Sequence, residues 1–149
     1  MEMEMIFHPR RRIPVRVGDI MTTPVITIHR DAKLEEAAKL MYDNRVGSVL
    51  VVDDGGKLIG IVTERDMIYA VSNLLVGKGI PVWEIMTENP ITARPEDPLP
   101  SAIQKMVEAR IRHLPVIDEE GKPIGMVSIR DLTDGLLAYL SIFGGLKIT

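Results

Sequence analysis

Two short strings stand out for the chemistry their residues could do: Thr63-Glu64-Arg65-Asp66 and Ser128-Ile129-Arg130-Asp131. Each places a hydroxyl, an arginine and an aspartate where a β-like apolar run gives way to a helical pattern. A hydroxyl at such a junction, with the backbone N–H groups of the first turn, faces the positive helix end, where a phosphate is favoured. The aspartate three residues on is placed to accept hydrogen bonds from both hydroxyls of a ribose. The arginine can reach a phosphate or pair with an acidic neighbour. The same spacing is also that of a plain helix start, with Ser or Thr at the N-cap and Asp in the first turn. An arginine on an exposed first turn is ordinarily solvated. Spacing alone favours the cap.

Motifs for catalysis do not appear. Gly56-Lys57 and Gly121-Lys122 look like phosphate-loop fragments, but that loop needs a Gly five residues earlier and Ser or Thr after the Lys. Those places hold Val51 and Leu58 in one case, Val116 and Pro123 in the other. His8, His29 and His113 form no two-His zinc motif. No Gly-x-Ser-x-Gly elbow or Ser–Lys pair is present. With no cysteine there is no disulfide, thiolate cluster or cysteine nucleophile. A non-enzymatic role with no cofactor or metal is expected.

The elements that must position these residues come in two copies. Asp19-Ile20-Met21-Thr22 falls on Glu84-Ile85-Met86-Thr87, Ile26-Thr27 on Ile91-Thr92, and Val51-Val52-Asp53 on Val116-Ile117-Asp118. The two strings above close the same ungapped register, so Asp66 and Asp131 stand as far apart as Met21 and Met86. Identity of roughly a third over about fifty residues marks a duplicated module. Each copy reads as strand, helix, strand, strand, helix. In the first, Val25–Ile28 is a strand and Asp31 an N-cap, and Leu34, Ala37, Ala38 and Met41 form one helix face. A hairpin of 49–53 and 58–63 follows, then a helix over 64–73. In the second, Ile91–Ala93 is the strand and Asp97 the N-cap, with Pro98 opening the helix. Leu99, Ala102, Ile103, Met106 and Val107 form its face, before a hairpin of 113–118 and 123–128 and a helix from about Ile129. One copy alone buries only a marginal core, and strands apolar on both faces need cover. Two copies packed about a pseudo-twofold supply it, with 76–81 as the hinge. The expected division is an arm (1–17), a first repeat (18–75), a linker (76–82), a second repeat (83–143) and a tail (144–149).

Length and composition agree with this. The 149 residues are 46% hydrophobic and 26% charged with a net charge of −3, an ordinary globular balance. Mean hydropathy is +0.12, yet the longest apolar runs, 49–52 and 136–143, fall far short of the roughly 18–20 residues of a spanning helix. The start, Met1-Glu2-Met3-Glu4-Met5, is no signal peptide. A soluble cytoplasmic protein without membrane contact is expected. Mild acidity argues against nucleic-acid binding, and Arg10-Arg11-Arg12 with His8 and Arg16 reads as a short solvated arm.

The repeat resembles the CBS domain, found in tandem as a Bateman module. The resemblance rests on Asp-Ile-Met-Thr and Glu-Ile-Met-Thr, the Ile-Thr pairs, Arg112-His113-Leu114-Pro115-Val116-Ile117-Asp118, and the closing Gly60-Ile61-Val62-Thr63-x-x-Asp66 and Gly125-Met126-Val127-Ser128-x-x-Asp131. It covers residues 18–140 without a gap. It implies an α/β (α+β) fold, two βαββα units packed head to tail around two ligand clefts, often paired further into a disc. Relatives bind AMP, ADP, ATP, S-adenosylmethionine, its thioether product or NADH, and they regulate rather than catalyse. In this context Thr63 and Ser128 become phosphate contacts and Asp66 and Asp131 ribose contacts, with Arg65 and Arg130 beside them. Thr27, Ile28, Thr92 and Ala93 fall where relatives hold adenine and sugar, although apolar strand residues there also serve as core.

The copies differ at the middle strand, Val46-Gly47-Ser48-Val49 against Ile111-Arg112-His113-Leu114. Gly47 lets backbone approach a purine closely, whereas Arg112 and His113 suit phosphates. The two clefts are therefore expected to be unequal, with at least one binding. Three readings follow: an adenine-nucleotide sensor acting on a separate protein, a sensor of S-adenosylmethionine or methylthioadenosine, and an interaction module with empty clefts. The apolar stretch Leu136–Phe143 exceeds what a solvated helix needs, which points to a homodimer.

Overall fold

The structure, a computed structural model, describes residues 16–143; residues 1–15 of the arm and the tail expected from sequence lie outside them. The elements in order are α1 (Val17–Ile20), β1 (Thr27–His29), α2 (Leu34–Asn44), β2 (Ser48–Val52), β3 (Leu58–Thr63), α3 (Glu64–Ser72), a 3₁₀ turn (Val82–Glu84), β4 (Thr87–Glu88), α4 (Leu99–Ala109), β5 (His113–Ile117), β6 (Pro123–Ser128) and α5 (Ile129–Phe143). The first repeat is βαββα as expected. β1 runs parallel to β2, and β2 pairs antiparallel with β3 through the Asp53–Lys57 turn. Asp53 Oδ1 accepts the N–H groups of Gly55 and Lys57, and Asp118 Oδ1 does the same for Glu120 and Lys122. The duplicated turn chemistry thus folds the same way twice.

In the second repeat the expected strand over Ile91–Ala93 shrinks to one parallel bridge, Ala93 with Val116. Two missing protons account for it, one at each end, since Arg30 N–H bonds Val52 O in the first repeat and its match is Pro95. In the first repeat Leu50 donates its N–H to Ile26 O at 3.0 Å; the matching position is Pro115, which has no N–H to give. Arg94 N–H then turns away to Asp97 Oδ2 at 2.8 Å. The helix starts also shift. Lys33, not Asp31, stands at the N-cap of α2, and Leu34 N–H is taken by Ile80 O of the linker. Pro98, not Asp97, stands at the N-cap of α4 because the Asp97 carboxylate is engaged by Arg94.

Each repeat lends its opening segment to the other. Val17 N–H bonds Asp97 O and Thr22 pairs with Met126, while Val82 N–H bonds Ala32 O and β4 pairs with β3. Val17, Ile20 and Met21 accordingly pack with Ala102, Met106, Leu114, Val116 and Val127. Val82, Ile85 and Met86 pack with Ala37, Met41, Val49, Val51 and Val62. Covalent repeat and packed half are therefore not the same set of residues. The exchange locks the two halves together and fixes the cleft between them. The apolar face read for α4 is only partly inward: Ala102 and Met106 are buried, whereas Ile103 and Val107 are exposed. No helix of the described residues is long and apolar enough to cross a membrane.

Candidate functional site

A cleft of about 610 Å³ opens where the halves meet. From the first repeat it takes Thr22, Pro24, Val25, Ile26, Arg45, Val46, Gly47, Ser48 and Glu64. From the second it takes Arg112, His113, Met126, Ser128, Ile129, Arg130, Asp131 and Asp134. A more open groove along Met41, Tyr42 and Asp43 adjoins it through Arg45, Val46 and Glu64.

The β6–α5 junction supplies the polar floor. Ser128 donates its N–H to Asp131 Oδ2 at 2.7 Å and its hydroxyl to the same oxygen at 2.9 Å. The cap read from spacing is thus real, and it repeats at Thr63 and Asp66. It engages only Oδ2 and leaves Oδ1 turned elsewhere. In the cleft that second oxygen accepts the Thr22 hydroxyl at 2.7 Å. Capping and ligand contact are therefore compatible uses of one carboxylate.

Ser48 is 6% exposed and is the only buried polar residue among those described. Its hydroxyl bonds no described residue, and it lines the cleft. Gly47 lines it too, but not as open backbone for a purine. A Cβ there would stand 3.0 Å from His113 Nε2 and 3.2 Å from Glu64 Oε1. The missing side chain makes room for the protein's own imidazole and carboxylate. His113 titrates below the ordinary imidazole range because burial penalises its charge, and Arg112 adds repulsion; Glu64 and Asp131 pull the other way. Around it the cleft carries three arginines, Arg45, Arg112 and Arg130, against three carboxylates, Glu64, Asp131 and Asp134.

Of the residues singled out from sequence, the cleft gathers Gly47, Ser48, Arg112, His113, Ser128, Arg130 and Asp131. Thr27, Thr63, Arg65, Asp66 and Thr92 do not line it. Ile28, Ala93, Leu114 and Pro115 do not line it either: their side chains are buried, and the first three belong to the two apolar cores. Val25 and Ile26, just before β1, line the cleft where Thr27 and Ile28 were expected. Thr22, Pro24, Arg45, Val46, Glu64, Met126, Ile129 and Asp134 were missed. Of these Thr22 carried a signal, as the last residue of the duplicated Ile-Met-Thr.

A family model described as CBS domain matches residues 17–73 and 82–138. An uncharacterized 17.7 kDa protein in the bps2 3′ region of Acidianus ambivalens is 37% identical over 122 residues, 82% of this chain and 73% of that protein. Homoserine O-acetyltransferase of Methanohalobium evestigatum is 37% identical over 117 residues, 78% of this chain but 23% of the enzyme, so the chain spans about a quarter of that length. Among solved structures, the CBS domain pair of protein MJ0100, in complex with 5′-methylthioadenosine and S-adenosyl-L-methionine, superposes with a TM-score of 0.74 at 32% identity, covering 90% of this chain and 100% of that one. The CBS domain protein PAE2072 from Pyrobaculum aerophilum, complexed with AMP, gives a TM-score of 0.77 at 28% identity, covering 86% and 98%.

Proposed function

The chain belongs to the CBS domain family, with two repeats in tandem, and from that premise we propose a ligand-sensing module that binds an adenosine-containing ligand in the cleft and regulates a separate protein. One observation carries the reading: a cleft of about 610 Å³, a volume in the range of small-molecule sites, gathers the Ser48 and Ser128 hydroxyls with Arg130 and Asp131. The Ser48 hydroxyl makes no bond to a described residue and faces the cleft, so a ligand atom there can pair with it. The Asp131 carboxylate supplies the ribose contact. Ser128, Arg130 and the N-terminal end of α5 supply a place for phosphate. AMP in the related PAE2072 structure supports a nucleotide. The role is regulatory rather than catalytic, and the module works as a homodimer through its exposed helix faces.

A second reading has its own support. The arginines and carboxylates of the cleft balance in number, which disfavours a highly charged polyphosphate and suits 5′-methylthioadenosine or S-adenosylmethionine over ATP. The MJ0100 pair, with the latter two compounds, adds to it. Calorimetric titration with AMP, ADP, ATP, S-adenosylmethionine and 5′-methylthioadenosine separates the two. The expected result is saturable binding of one of them, lost in Asp131→Ala and kept in Asp66→Ala. Absence of heat and of thermal shift with all five would leave an interaction module with no ligand of this class.

A further inference from the structure

The cleft does not end at its own wall. Arg45, Val46 and Glu64 line both the cleft and the groove of about 780 Å³ that runs on past Met41, Tyr42 and Asp43. That shared wall carries one cation and one anion. Arg45 caps α2 in the left-handed conformation, φ 54° and ψ 42°, with its N–H on Met41 O and Tyr42 O. Glu64 opens α3, with its N–H on Gly47 O at 3.1 Å. Both backbones are therefore held close to Gly47. The Glu64 carboxylate leans over that glycine, with Oε1 3.2 Å from where a Cβ would stand. Among the described residues neither side chain forms an ion pair, and the two do not pair with each other. His113, beside Glu64, does not neutralise it at pH 7, because burial keeps the imidazole below its ordinary range. The matched positions are Arg110 and Ile129. The second repeat keeps the arginine and its left-handed cap but lacks the carboxylate. The unpaired opposite charges are thus particular to this one cleft and not a property of the repeat.

We propose that Arg45 and Glu64 form an end-group subsite for an α-amino acid, so that cleft and groove together take an adenosine joined through a short thioether chain to a zwitterion. The Glu64 carboxylate accepts the N–H groups of the α-ammonium, and the Arg45 guanidinium donates to the α-carboxylate. Val46, common to both cavities, gives the methylenes of the chain an apolar contact. A lone anion here meets Glu64 and a lone cation meets Arg45; a zwitterion satisfies both, which is how opposed charges select one partner against others. The inference rests on the reading that the cleft binds an adenosine thioether. What it adds is the pair of residues that tells the amino-acid-bearing compound from its truncated form.

The test is calorimetric titration of the full chain with S-adenosylhomocysteine, with 5′-methylthioadenosine, and with two S-adenosylhomocysteine analogues, one lacking the α-carboxylate and one lacking the α-ammonium. All four share the adenosine and an uncharged thioether. Wild type is compared with Arg45→Asn, which removes the charge and suits a left-handed cap, and with Glu64→Gln, which keeps the shape. Wild type is expected to prefer S-adenosylhomocysteine to 5′-methylthioadenosine by about five- to tenfold, the range for two exposed charge pairs. The variants should then cross. Arg45→Asn loses the preference over the analogue without the carboxylate and keeps that over the analogue without the ammonium; Glu64→Gln does the reverse. Cooperative thermal melts show that both variants are folded. Equal binding of S-adenosylhomocysteine and 5′-methylthioadenosine to wild type, or both preferences unchanged in both variants, would overturn the subsite and leave the adenosine site standing. Binding of AMP alone would overturn the subsite and leave the nucleotide reading. Wild type that binds none of these compounds would overturn subsite and adenosine site together.

Discussion

His113 shows how one side chain reports on what fills the cleft. Burial holds its imidazole below the ordinary value of 6.5, helped by Arg112 and opposed by Glu64 and Asp131. The unfolded chain therefore takes up this proton first as pH falls, and in that window it binds more protons than the folded chain. Stability should drop as pH falls below about 6.5 and level off once the folded-state imidazole also titrates. Thermal melting from pH 7.5 to 5 checks this, and His113→Gln should flatten the dependence. A bound phosphate would favour the imidazolium and reverse the sign locally. Binding of AMP near pH 6 should then take up protons, seen as a buffer-dependent heat in calorimetry, whereas 5′-methylthioadenosine should not. The spacing of Ser128 and Asp131 was legible as a cap and as a ligand contact, but their hydrogen bonds were needed to see that one carboxylate does both.

At the scale of elements, the exchanged segments depend on two glycines. Gly60 of β3 and Gly125 of β6 lie under Met86 and Met21, and a Cβ on either would meet the Met Sδ and Cγ. Gly60→Ala should destabilise by about 1–3 kcal/mol, the usual range for overpacking. Chemical denaturation should show most of that loss disappearing in a Met86→Ala background, because the two changes act on one contact. The linker is similarly anchored: Gly77 N–H donates to Glu35 Oε1 at 2.7 Å and holds that carboxyl below its ordinary 4.5. The group's folded-state value is depressed, so its contribution is present above pH 4.5 and is lost as pH falls through the folded value. Glu35→Gln should speed amide exchange at Gly77 at neutral pH. Most elements could be read from periodicity and turn residues. The strand around Ala93 could not, because the absent protons on Pro95 and Pro115 matter only once the partner strand is known.

At the scale of the molecule, the helices leave apolar surface outside. Leu136, Tyr139, Leu140 and Phe143 of α5 are exposed, with Tyr139 and Phe143 rings 5.0 Å apart, and Ile68 and Val71 of α3 are exposed as well. Apolar surface of this kind favours a second copy packed about a two-fold axis. Light scattering should give about twice the 16.6 kDa chain mass. Leu136→Glu with Tyr139→Glu should return the monomer mass, since charge at the centre of such a patch is not tolerated. A wild-type monomer at tens of micromolar would remove the dimer from the proposed function.

The amino-acid sequence by itself determined the duplication, the order of elements and the hydroxyl and aspartate at each strand-to-helix junction. These are local properties, set by spacing, turn chemistry and the repeat. Tertiary structure decided the rest. It placed Thr22 of the first repeat on Asp131 of the second, and it closed Gly47 with His113 and Glu64. It also sent Ile28, Ala93 and Leu114 into the cores. The physical reason is that register in a sheet buried on both faces, and the exchange of opening segments between halves, are fixed by packing against distant residues. A repeat read alone contains no record of which half its opening segment will serve.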